Sequence, residues 1–142
     1  MKKLISRIIV ALLFLFSFIT PCLADFQPDS SRWIWIDSND TSGFWYDSKT
    51  ISVKQENGRN IVSMWILSYN NTPEESVDKT LYNVDVTRKT ISFSEIHEYD
   101  MQGNIIGSSY YNEFDNTESS VIPDTVGEEF YDIANGYISH RM

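Results

Sequence analysis

Residues 57–69, NGRNIVSMWILSY, decide how the rest of the chain must be arranged. Asn57-Gly58 is the dipeptide that adopts the positive φ angles of a tight hairpin turn, so an antiparallel strand begins just after it. Along residues 60–69 side chains alternate between two faces. Ile61, Trp65, Leu67 and Tyr69 point one way, and Val62, Met64 and Ile66 point the other. Both faces are apolar, which marks a central strand. The run at residues 33–37 has the same character, with Trp33 and Trp35 opposed to Ile34 and Ile36.

Working outward, a second run, Phe44-Trp45-Tyr46-Asp47, follows the turn-rich DSNDTSG. Strands are expected over residues 77–86 and 91–99, joined by the short turn Thr87-Arg88-Lys89-Thr90, and over residues 105–111 after Met101-Gln102-Gly103-Asn104. Short turns imply antiparallel neighbours, because a parallel return needs a crossover of about a dozen residues. The pattern changes after Pro123. Thr125 and Glu128 have capping-box spacing, and Val126, Phe130, Ile133 and Tyr137 recur with helical period, with a stop expected near Asn135-Gly136. The expected fold class is α+β, a single curved antiparallel sheet of about six strands with one C-terminal helix packed on a face. One helix covers one face only. The other must be closed by curvature, by a loop or by another molecule, and Trp33, Trp35, Trp65 and Tyr69 are the candidates for a partner surface or homodimer interface.

The N-terminus reads as an export signal. Lys2, Lys3 and Arg7 precede an apolar run over residues 8–19, shorter than the roughly 20 residues of a membrane-crossing helix. Cys22-Leu23-Ala24 suits cleavage between Ala24 and Asp25, which discards the only cysteine. The competing reading makes residues 19–22 a lipoprotein box with Cys22 acylated, although Pro21 fits that processing poorly. The expected organisation is a signal over 1–24, a flexible lead-in over 25–32, one domain over 33–138 and a tail over 139–142. The expected location is secreted, periplasmic or outer envelope, with membrane contact only if Cys22 is acylated.

After cleavage, eight basic residues face twenty acidic ones, a net charge near −12. Such a surface repels phosphate backbones, which excludes nucleic acid as a partner. No catalytic, metal or cofactor site is expected. DSNDTSG lacks the further ligands and closing glutamate of a calcium loop, and Glu95 with His97 on one side of a strand is too small a set for zinc. No glycine-flanked serine elbow, mature cysteine or phosphate-binding glycine loop is present. His97 reads as an exposed strand residue and His140 as part of a frayed tail.

In order and spacing, WIWIDSNDTSGFWYDSKTI, VSMWIL, LYNVDVTRKTISFSEIHEYDMQGNIIGSS and VIPDTVGEEFYDIAN resemble the surface-adhesin protein E domain of bacterial exported proteins, across residues 33–135. The resemblance implies export, an antiparallel sheet with a C-terminal helix, and binding of host extracellular-matrix proteins. It also implies a point of departure. Where many members carry a cysteine before the basic turn and another at the helix end, this chain has Val86 and Ala134 or Asn135. The helix must then be held by Val126, Phe130 and Ile133 alone.

Three functions follow as expectations: an exported non-enzymatic binding module engaging matrix protein or itself, a structural envelope protein of the producing cell with no host ligand, and a small-ligand sensor with a cavity under Trp33, Trp45 or Trp65.

Overall fold

The computed structural model describes residues 26–112 and 117–140. Cys22, Ala24 and Asp25 lie outside them, as do the last two residues of the tail. Among the described residues, eight strands form one sheet: β1 (Trp33–Ser38), β2 (Ser42–Asp47), β3 (Ser52–Glu56), β4 (Arg59–Asn70), β5 (Ser76–Asp85), β6 (Thr90–Tyr99), β7 (Ile105–Tyr110) and β8 (Ser119–Ser120). One helix, α1 (Val126–Ser139), follows. The strand order is β1-β2-β4-β5-β6-β7, with β3 paired to the first half of β4 and β8 to the start of β6. Every pairing is antiparallel.

The strand count is higher than the six expected, and the reasons are local. β3 is the partner that the Asn57-Gly58 turn demands, and those two residues have φ of 52° and 76°. Its own sequence, SVKQE, carries too few apolar residues to announce a strand. β8 is two residues long and is held by its ladder to Thr90 and Ile91, which no local pattern encodes.

The helix covers one face of the sheet. Val62, Met64, Ile66 and Val84 are fully buried beneath Phe130, Ala134 and Ile138. At about 1.5–3 kcal/mol for each large apolar side chain, this layer is the main stabilising element. The helix face is therefore 130-134-138, with Val126 and Ile133 packed at its margins. Of the residues set against the resembled family's cysteines, Val86 and Ala134 belong to this packing, and Asn135, the alternative to Ala134, is exposed.

Two helix details differ from expectation. Thr125 is the N-cap, but its hydroxyl donates to the Ile122 carbonyl, while Glu128 accepts from the Asp124 amide. Only the glutamate half of a capping box is present, displaced by one residue to the Asp124 amide, and no side chain caps the first-turn amides. The helix also continues through Gly136, because Ile138 supplies one more buried turn, and it ends where the His140 amide donates to the Gly136 carbonyl. His140 Nδ1 lies 2.7 Å from that same carbonyl, so this histidine closes the helix.

Two buried carboxylates pin the ends of strands. Asp47 closes β2, is fully buried, and receives Arg32 Nη2 at 2.6 Å and Nε at 2.9 Å. Asp85 closes β5 and receives Arg59 Nε at 2.6 Å. In each case the second carboxylate oxygen accepts amides of the following turn, Lys49 for Asp47 and Thr87 with Arg88 for Asp85. Burial alone would push the Asp47 carboxyl upward. Arg32, the Lys49 amide and Thr50 outweigh that and hold it below the usual carboxylate range.

Candidate functional site

The sheet face away from the helix is built from the odd-numbered positions of β4 and their neighbours across the ladders. One row runs Trp35, Trp45, Leu67, Lys79, His97 and Ser108 from edge to edge. The row beside it is Gly43, Tyr69, Val77 and Tyr99, and on the other side lie Trp65, Leu81, Glu95 and Tyr110. Antiparallel sheets usually turn a polar face to water, so this concentration of rings needs a cover.

Part of the cover is intramolecular and comes from an unexpected place. Phe26 stacks on Tyr69 at 5.0 Å between centroids, with planes 8° apart, and meets Trp45 edge-on at 5.8 Å. Together with Trp33 and Tyr99 it seals Leu67, Tyr69 and Val77 into a second small core. The segment before β1 is also tied down by the Asp29 turn, by Arg32 on Asp47, and by Ser48, which donates through its amide and hydroxyl to the Arg32 carbonyl. Residues 26–32 thus contribute to the folded body. A lone phenylalanine in a polar stretch has no periodicity, and only its being the sole aromatic there could have singled it out.

Beyond this seal the face stays open. Trp35 is 51% exposed and packs edge-on against Trp45 at 4.8 Å. Gly43 makes room for the pair, since a Cβ there would stand 2.9 Å from the Trp45 ring and 3.1 Å from that of Trp35. On β7, Ile105, Ile106 and Tyr110 are exposed, and the outer edge of that strand carries neither charge nor proline.

The four aromatics proposed from sequence share this face and have different roles. Trp35 is accessible. Trp33 is half-buried with Arg32 over its ring at 5.6 Å, and Tyr69 is floor beneath Phe26, its hydroxyl donating to Glu75 at 2.8 Å. Trp65 is half-buried and stacks with His97 at 5.8 Å. His97 is not the exposed strand residue expected, because β7 and Trp65 enclose it. Its ring meets Tyr110 edge-on at 5.5 Å, Nδ1 lies 2.9 Å from Ser108 Oγ, and Nε2 lies 3.4 Å from Glu95.

No protein-family model, curated protein or solved structure matches the chain. Among the described residues, no group of three or more His, Cys, Asp or Glu is placed to hold a metal ion. In DSNDTSG the Asn39 side-chain oxygen accepts the Thr41 and Ser42 amides, which is turn chemistry. What the open face offers is a rigid aromatic platform: an indole supported by a second indole, over a packed floor. Such groups bring large contact area at small conformational cost, the property that makes tryptophan an anchor in protein interfaces.

Proposed function

We propose that this chain is an exported, non-enzymatic binding module that holds a protein partner on the uncovered aromatic face. The observation that carries the reading is Trp35, half-exposed on the edge strand β1 and braced on Trp45, on an apolar face that the chain's own Phe26 closes only in part. Exposed, rigid and apolar, it matches the composition of interface cores. The signal-like N-terminus supports export. The resemblance to surface-adhesin protein E domains supports extracellular-matrix protein as the partner class, and the sheet with its C-terminal helix is compatible with that resemblance.

The test is binding of the exported protein to immobilised matrix proteins, wild type beside Trp35→Ala. The reading expects saturable binding to at least one of them, weakened by about thirtyfold or more in the variant, as for an interface hot spot. Absence of binding to any matrix protein, with co-purification in envelope complexes of the producing cell, would favour the structural envelope role instead.

A further inference from the structure

At the other end of the same face the floor changes chemistry. Ser63, Asn83 and Ser92 lie opposite one another on β4, β5 and β6. Ser63 Oγ donates to Asn83 Oδ1 at 2.7 Å, and Asn83 Nδ2 donates to Ser94 Oγ at 3.3 Å. These side chains floor a cleft of about 360 Å³, walled on one side by β3 and on the other by Tyr111 and residues 117–118. A merely solvated strand face would leave such groups exposed. Here all four are half-buried, and two are joined through the Asn83 amide into a fixed chain.

The charges around the cleft are matched in pairs. Arg59 meets Asp85 at 2.6 Å, Lys54 meets Glu56 at 2.9 Å, and Glu118 is taken by Arg88 and by the Thr90 hydroxyl. An anion or cation would have to displace one of these partners, and the acidic balance of the whole chain further disfavours an anion. Small-molecule sites of this size are usually apolar with a few polar groups. This one reverses the proportion, so its ligand must bring a high density of hydroxyl or amide groups and no net charge. One wall is aromatic: Tyr111 is held at 87° to Phe93, 5.0 Å away, and gives an apolar surface beside the polar floor. The geometry points to a binding site for one neutral sugar unit, a hexose or N-acetylhexosamine, with its hydroxyls on Ser63, Asn83 and Ser94 and its C–H face toward Tyr111. This site is separate from the Trp35–Trp45 patch at the other end of the face and stands whether or not the protein-binding proposal does.

The experiment is an amide-resolved NMR titration of the exported protein with glucose, galactose, mannose and N-acetylglucosamine, each alone. At least one is expected to shift the Ser63, Asn83 and Ser94 amides saturably while the Trp35 and Trp45 indole signals stay in place. Asn83→Ala removes the centre of the hydrogen-bond chain, and Ser63→Leu fills the floor. Each is expected to weaken the response about tenfold or more, and Ser63→Leu keeps the test decisive should the first variant fail to fold. No saturable shift with any of the four sugars would overturn the assignment. So would shifts confined to the indoles, or a response unchanged in both variants.

Discussion

Met64 and Trp65 are neighbours in β4 and live in different environments. Met64 is fully buried under the helix, in a layer completed by Phe130, Ala134 and Ile138. Trp65 faces the opposite way, half-buried beside His97 on a face whose aromatic part is covered, among the described residues, in part by Phe26. The two faces are comparably apolar in sequence, yet only one is closed. Apolar area that folding buries stabilises the molecule, whereas apolar area left open is held for something else. The difference between the faces separates what holds the fold from what is available to a partner.

The largest effect belongs to the closed face. Phe130→Ala removes the ring that packs against Tyr82 and Phe44 at 5.1 and 6.3 Å and is expected to cost about 3–5 kcal/mol. Denaturant unfolding would show this as a lower midpoint, with partner affinity per folded molecule unchanged. If instead the loss is below about 1 kcal/mol, the helix is not the closing layer.

Next comes the pin at the end of β2. Asp47 has a depressed pKa in the folded protein, so its contribution is present above the ordinary unfolded carboxylate value of about 3.9 and is lost as pH falls through the lower folded value. Asp47→Asn is expected to lower stability at neutral pH by about 1–3 kcal/mol, because a buried charged acceptor is lost to Arg32. It should also flatten the acid side of the stability profile. An acid limb that is the same in both proteins would assign the acid sensitivity to other carboxylates.

Phe26→Ala probes the partial cover of the open face. The stacked and edge-on ring contacts contribute about 0.5–1.5 kcal/mol each beyond area burial, and their removal opens Tyr69 and Leu67 to water. Tryptophan emission should shift to the red as Trp45 loses its neighbour. An unchanged spectrum would show that Phe26 does not shield the indole in solution.

Much of the fold was legible because it follows from periodicity and turns. The alternation along residues 60–69 gave a central strand apolar on both faces, Asn57-Gly58 placed a hairpin, and Phe130 marked the helix face. What was hidden depends on long-range contact. Phe26 is placed by Trp45 and by Tyr69, the latter about forty residues away in sequence, and His97 is enclosed because Trp65 and β7 lie beside it. The helix end was misplaced for a related reason: Asn135-Gly136 is a local stop signal, overridden by burial of Ile138. The open face itself was visible in the sequence, since one helix cannot cover two apolar faces. Which of its aromatics are accessible was not, and Tyr69 proved to be floor while Trp35 is surface.

The smallest effect on stability falls at Trp35, and it carries the largest functional weight. As a half-exposed edge-strand residue, its truncation is expected to change stability by no more than about 1 kcal/mol. The decisive measurement is therefore the binding of wild type and Trp35→Ala to immobilised matrix proteins, made beside their unfolding curves. Near-equal stability with binding weakened about thirtyfold or more is the predicted result. Equal binding by both proteins would contradict the account, because the open aromatic face would then not be where the partner sits.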